Sequence, residues 1–153
     1  MIEIIEKAQR PDGYLDTYFI IKEPKKRWSN LYECHEMYVA GHIIEAAAAT
    51  IQATGKEGFL DVACRLADHI ESVFGTEPEK IQGYPGHQEI ELALVKLYQA
   101  TQNEKYLALS KFFIDQRGKK PNYFKRNGKV QGIGALLKPG ALFLRRIEIQ
   151  SIP

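Results

Sequence analysis

Cysteine is scarce in this chain of 153 residues: there are two, Cys34 and Cys64, each inside a helical pattern and neither near a Cys-x-x-Cys spacing. That argues against a disulfide framework and against a structural zinc site, and leaves buried thiols as the reading. An excess of one charge is missing too. Lys and Arg number 21 against 19 Asp and Glu, so no net charge drives binding to nucleic acid or an anionic membrane. The clusters Lys25-Lys26-Arg27, Lys119-Lys120 and Lys125-Arg126 are short, lack interleaved aromatics and read as solvated loops. The start, Met-Ile-Glu-Ile-Ile-Glu-Lys, sets acidic residues between apolar ones and has no basic lead followed by an unbroken apolar run, so it is no secretory signal and the expected address is cytoplasmic. The longest apolar run, Met37 to Thr54, holds His42 and Glu45, and charge at a bilayer centre is costly, so a buried helix fits better than a membrane span. Also absent are a Gly-rich phosphate loop, a G-x-S-x-G elbow and a Cys-His nucleophile arrangement.

What is present is helical periodicity, in a chain long enough to hide roughly 70% of its unfolded surface. Leu31, Cys34, Met37, Tyr38, Gly41, Ile44 and Ala48 recur three or four apart and predict a helix from about Asn30 to Gly55, a well-placed stop. A second, from about Glu57 to Phe74, puts Phe59, Ala63, Leu66, Ala67 and Ile70 on one stripe and turns Asp61, Arg65 and Asp68 to water, with Asp61 and Arg65 as an i, i+4 pair. The third, His87 to Thr101, is apolar on two sides, the mark of an inner helix. The fourth, Glu104 to Gln116, returns to one stripe of Tyr106, Leu109, Ser110 and Phe113. Ahead of these, residues 2–9 form a short helical pattern that Arg10-Pro11-Asp12-Gly13 breaks, and Tyr14 to Ile21, rich in aromatic and β-branched residues, reads as a strand or an extended loop.

The four long helices form a repeat: Ile51-Gln52-Ala53-Thr54-Gly55-Lys56-Glu57-Gly58-Phe59-Leu60 aligns with Tyr98-Gln99-Ala100-Thr101-Gln102-Asn103-Glu104-Lys105-Tyr106-Leu107. Each unit is a mostly apolar helix, a tight turn and an amphipathic helix, and alternation of inner and outer helices is what an α/α toroid or an α-solenoid requires. The fold class is all-α. Each hairpin buries its inner face only against neighbours, so two hairpins make a marginal, incomplete core whose unpaired faces invite self-association. After Phe124 the pattern stops, and residues 125–153 read as a basic, Gly-rich loop with one short strand at residues 141–149.

His35 and His42 lie seven residues apart, about 10 Å along a helix axis, so one metal cannot take both, and the spacing is not that of H-E-x-x-H. His42, mid-helix among alanines beside Gly41, reads as a satisfied core histidine. Gly41 costs its helix roughly 1 kcal/mol relative to Ala, which close packing against another inner helix would offset. His35 and His87 each fall near the start of an inner helix, where both imidazoles can line one mouth of a central cavity and hydrogen-bond a ligand. Glu89 and Glu91 occupy first turns, where carboxylates complement the helix dipole, with a sugar-binding or catalytic role as the rival reading. Glu45, inside the apolar helix, needs a partner from His42 or the neighbouring helix.

The succession Ala8-Gln9-x-x-Asp12-Gly13-Tyr14-Leu15-x-Thr17-Tyr18-Phe19, Arg27-Trp28-x-Asn30-Leu31, His35-Glu36-x-Tyr38-x-Ala40-Gly41-His42, Leu66-Ala67-Asp68-His69, Gly86-His87-x-Glu89-Ile90-Glu91-Leu92-Ala93-Leu94 and Phe112-Phe113-Ile114-Asp115-x-Arg117-Gly118 resembles glycoside hydrolase family 127, the β-L-arabinofuranosidases, from about residue 2 to 124. The resemblance implies an (α/α)6 toroid followed by β-sandwich domains, with residues 1–124 supplying about two of the six hairpins. It implies cleavage of terminal β-L-arabinofuranose with retention, by a cysteine thiolate held on zinc by further cysteines and a glutamate, with another glutamate as acid/base. On the family pattern His35 and His87 contact the sugar; His42, Glu45 and Glu89 are candidate supporting residues by their placement near these helix starts and not by the resemblance. The zinc ligands, nucleophile and acid/base would all belong to parts of the fold after this chain, leaving it no catalytic residue and no metal of its own. Cys34 and Cys64 cannot stand in, because a retaining pair must sit about 5 Å apart across the anomeric centre. Residues 125–153 do not resemble the family continuation, which implies a truncated or frame-shifted reading frame. Two other readings stay open: a helical-repeat binding module, and another toroidal enzyme such as an unsaturated-uronide hydrolase with an essential carboxylate at Glu45, Glu89 or Glu91.

Overall fold

Seven α-helices and one 3-10 turn, with no strand between them, make up residues 2–126, the part of the chain that its computed structural model describes. They are α1 (Ile2–Ala8), α2 (Thr17–Ile21), the 3-10 turn Pro24–Lys26, α3 (Glu36–Thr54), α4 (Gly58–Val73), α5 (Ile90–Thr101), α6 (Glu104–Gly118) and α7 (Tyr123–Arg126). The strand expected at residues 141–149 lies outside the described residues. No helix among the described residues is long and apolar enough to cross a membrane.

Two helical hairpins, α3–α4 and α5–α6, form the body, joined by packing of α3 on α5. The core between them is aliphatic and closed by aromatics: Ile44, Leu66, Ile70, Leu94, Leu97 and Phe113 are fully buried, and each such side chain contributes on the order of 1.5–3 kcal/mol. Gly41 sits where α3 crosses the start of α5, and a Cβ there would meet Glu89 Cγ at 2.6 Å and the Ile90 nitrogen at 3.3 Å. The helix tolerates that glycine because the two backbones close on it. α4 turns Asp61, Arg65 and Asp68 outward as its periodicity requires. Arg65, however, reaches Gln9 Oε1 at 2.8 Å and Glu6 at 3.7 Å, so its partners come from the N-terminal segment and not from Asp61.

Three boundaries differ from expectation. The segment from Thr17 to Ile21 is helical, because Asp16 accepts hydrogen bonds from the Tyr18 and Phe19 N–H groups and caps it; local capping overrides the β-prone composition. The first long helix begins at Glu36, not near Asn30. Asn30 Oδ1 does accept from the Tyr32 and Glu33 N–H groups, but the result is one turn that breaks at Cys34 and His35. The third begins at Ile90, which leaves His87 on the preceding loop.

Residues 9–35 form a strap laid across α3 and α4. Tyr14 and Trp28 are buried edge to face, ring centroids 5.3 Å apart, and Trp28 also meets Phe74 edge-on at 5.4 Å. Gly13, at φ 85, passes so close to α4 that a Cβ would meet the Arg65 carbonyl oxygen at 2.2 Å. The strap thus presses on the scaffold at a point where only glycine fits, and it ends at His35.

Candidate functional site

The strap delivers His35 to the start of α3 in an unusual state. His35 precedes the helix with φ 56 and ψ 14, the left-handed region, and makes no capping bond with its side chain. The next residue, Glu36, is buried, and its carboxylate accepts the Tyr14 hydroxyl at 2.5 Å and the Trp28 backbone N–H at 2.8 Å. Burial pushes the Glu36 carboxyl above the usual carboxylate range and the Tyr14 phenol well above its own. The strap is tied to α4 as well. His69 Nδ1 donates to the Asp12 carbonyl at 2.8 Å, which leaves Nε2 to accept the Trp28 indole N–H at 3.3 Å, and burial lowers the His69 pKa in keeping with this neutral tautomer.

The loop before α5 brings His87 to the same place. Gly86 donates its N–H to the Leu31 carbonyl at 2.9 Å, and a Cβ on it would meet the Tyr32 carbonyl oxygen at 2.6 Å, so the loop runs against the turn that leads to His35. Below it, Arg117 donates to Glu91 at 2.7 Å and to the Pro85 carbonyl at 3.0 Å, and its guanidinium lies over the Tyr84 ring at 4.7 Å. With both approaches fixed, the imidazoles of His35 and His87 stack at 4.9 Å and 19°. Tyr38, in the first turn of α3, sets its ring edge-on to His87 at 5.5 Å and to His42 at 4.5 Å. His35, His87, Tyr38 and His42 are all exposed, and the first three line a shallow depression with Tyr32, Pro85 and Gly86.

His42 is no core histidine: its side chain is 54% exposed, because it follows Tyr38 by four residues on the open face of α3. Its Nδ1 lies 3.2 Å from Glu89 Oε1, near enough for an ion contact when protonated but not aligned as a hydrogen bond, so that oxygen is buried and unbonded. Glu45 takes its partner from the neighbouring helix, Lys96 Nζ at 2.5 Å. Burial, and then the nearby Glu45 carboxylate, raise the Glu89 pKa. Glu91 does not serve the helix dipole from the surface; it is 2% exposed and bound to Arg117.

The thiolate-rich zinc site that the resemblance implies does not fit the residues described here. His42, Glu45 and Glu89 bring ligand atoms within 4.8 Å of one another, but with no sulfur among them and with Glu45 already held by Lys96. Burial pushes the Cys64 thiol up, away from the thiolate that metal binding requires. Sequence reasoning passed over Glu36 and His69 as working residues. Their signals were a carboxylate at the head of an apolar helix, a histidine beside the stripe of α4, and a place for each in the motif succession given above.

A family model described as the β-L-arabinofuranosidase, GH127 catalytic domain matches residues 1–138. The chain is 47% identical over 133 residues to the non-reducing end β-L-arabinofuranosidase of Bifidobacterium longum subsp. longum, covering 84% of this chain and 20% of that protein. Among solved structures it is similar to a GH127 β-L-arabinofuranosidase from Geobacillus stearothermophilus T6, with 56% identity and a TM-score of 0.80 over 87% of this chain and 22% of that one. A further GH127 β-arabinofuranosidase gives 46% identity and a TM-score of 0.72 over 76% of this chain and 20% of its own. The chain therefore spans about a fifth of the length of these relatives, and its helices correspond to part of their helical toroid.

Proposed function

Because the chain belongs to the GH127 β-L-arabinofuranosidase family, we propose that it is part of a retaining glycoside hydrolase acting on terminal β-L-arabinofuranosyl residues, and that it supplies sugar contacts without the reacting groups. The observation that carries this reading is the stacked pair His35 and His87, both exposed, in one depression edged by Tyr38. Imidazole nitrogens donate or accept according to tautomer, so two side by side can answer neighbouring furanose hydroxyls. Zinc, with its cysteine nucleophile and acid/base, would come from other parts of the toroid, in keeping with the lack of fit above. His42 and Glu45, farther along α3, and Glu89, just ahead of α5, then form a polar cluster beside the depression, balanced by Lys96. A cytoplasmic setting agrees with two cysteines that form no disulfide.

The test is titration of the purified chain with methyl β-L-arabinofuranoside, followed through imidazole proton and nitrogen resonances. His35 and His87 should shift together while His69, half-buried and held by Asp12 and Trp28, stays still, and His35→Ala or His87→Ala should abolish the response. A sugar that moves neither ring would leave the family membership intact and remove this assignment. In a parallel assay on a chromogenic β-L-arabinofuranoside with zinc and thiol, no turnover is expected; turnover lost on His35→Ala and His87→Ala would overturn the absence of chemistry. A helical-repeat binding module draws on the exposed Tyr38 and Val39 of α3, and sedimentation separates it: a defined dimer with no sugar response favours that module.

A further inference from the structure

The stacked pair depends on where His35 is held, and the residue that holds it is buried in the wall of the depression. Glu36 is 5% exposed, and among the described residues no cationic side chain forms an ion pair with it. Only neutral donors answer its carboxylate, the Tyr14 hydroxyl on Oε1 and the Trp28 N–H on Oε2. A buried carboxylate so placed is a costly choice for a position that an apolar side chain could fill.

The residues it ties explain that choice. His35 has φ 56 and Trp28 has φ 58, two of the three non-glycine residues with positive φ among those described. Left-handed backbone costs such residues about 1–2 kcal/mol each, and it persists where the surroundings over-determine it. Glu36 follows one of them in the chain and binds the backbone N–H of the other. The strap therefore cannot relax at Trp28 without releasing Glu36, and α3 cannot unwind its first residue without releasing the strap.

We infer that Glu36 is a positioning residue: through its two hydrogen bonds it locks the Tyr14–Trp28 strap to the first turn of α3 and so holds the His35 imidazole against His87. Its geometric consequence stands on the contacts alone, and its functional consequence rests on the sugar reading proposed above. Loss of the lock lets His35 sample other directions, and affinity falls by the fraction of time spent in the competent one.

The test compares Glu36→Met with Glu36→Gln in the full chain. Methionine fills the volume and removes both acceptors. Glutamine keeps two bonds, its Oε1 accepting the Trp28 N–H and its Nε2 donating to the Tyr14 oxygen. Far-UV circular dichroism reports the fold, and the cross-relaxation peak between the His35 and His87 ring protons reports the stack. Both variants should keep wild-type helicity. Glu36→Met should lose the cross-peak and bind methyl β-L-arabinofuranoside about tenfold more weakly, while Glu36→Gln retains both. An intact cross-peak in Glu36→Met overturns the inference, and so does its loss in Glu36→Gln. If Glu36→Met fails to fold, Tyr14→Phe removes one bond at constant ring size: a weakened cross-peak supports the lock and an unchanged one refutes it. A wild-type chain with the cross-peak, its loss in Glu36→Met and no sugar response would uphold Glu36 as the lock and sink the sugar assignment.

Discussion

At their turn ends the two hairpins match residue for residue. Gly55 and Gln102, aligned in the repeat, are both left-handed at φ 69 and φ 57, and their N–H groups donate to the aligned carbonyls of Ile51 and Tyr98. The hydroxyls of Thr54 and Thr101 donate back to Thr50 and Leu97, and accept from the N–H groups of Lys56 and Asn103. At the other ends the match fails. α3 has 19 residues and α5 has 12, a difference of about 10 Å of helix axis at 1.5 Å per residue. Non-helical backbone reaches up to about 3.5 Å per residue, so the short segment from His87 to Ile90 can cover what two turns cover in α3. His35 and His87 meet because the repeat is broken there. Carried back along the repeat, His42 aligns with Glu89, so even this contact pairs unlike residues at like positions. The repeat builds the scaffold, and departure from it builds the site.

The two site ends are also anchored by different chemistry, and the largest predicted effect separates them. Glu91 is answered by a cation and Glu36 by neutral donors. Arg117→Met leaves Glu91 buried without its charge partner and should destabilise the chain by about 3–5 kcal/mol, read from urea unfolding. Adding Glu91→Leu should recover most of that loss. A cost for Arg117→Met below about 1 kcal/mol would make the Glu91 pair no more than a surface contact and erase the contrast with Glu36.

A smaller effect tests the crossing on which both ends depend. Gly41→Ala gains up to about 1 kcal/mol of helix propensity but drives a Cβ onto Glu89 and the start of α5, and overpacking costs about 1–3 kcal/mol. A net loss near 1 kcal/mol is expected, seen as a melting point about 3 °C lower, together with a weaker contact between the His35 and His87 rings. Gly58→Ala is the control, since nothing lies within 4 Å of a Cβ there, and it should gain stability. If both alanines stabilise, α3 and α5 are not pressed together at Gly41.

The turn ends were legible in the sequence and the site ends only partly so, for physical reasons. Turn chemistry is local, and the aligned Thr-Gly and Thr-Gln pairs announce it. At the site end, Leu31 and Cys34 continue the apolar period of α3 and are buried or half-buried, yet they belong to a separate turn. Periodicity reports burial, and here a non-helical strap is buried as well as a helix. His42 misled in the opposite sense. Its alanine and glycine neighbours in sequence face the core, while its neighbours on the helix face, Tyr38 and Ala46, are exposed. Position on the face decides, and the spacing of Tyr38, His42 and Glu45 already traced it. Glu36 and His69 needed the strap's path, which depends on contacts between residues up to 57 apart in sequence, such as Asp12 with His69.

The smallest effect is also the most direct test of equivalence at the turns. Gly55→Ala places a Cβ on a left-handed residue with open space around it, so the cost is backbone conformation alone, about 1 kcal/mol. Gln102→Gly relieves the same conformational cost in the second hairpin but pays glycine's larger unfolding entropy, leaving a gain of about 0.5 kcal/mol. Opposite signs are therefore expected from thermal melts of the two variants, and the double variant should fall near their sum because the turns share no partner. Equal signs would mean that the two caps, alike in dihedral angle and hydrogen bond, are held by different surroundings, and the scaffold would then be as unequal at its turns as it is at its site.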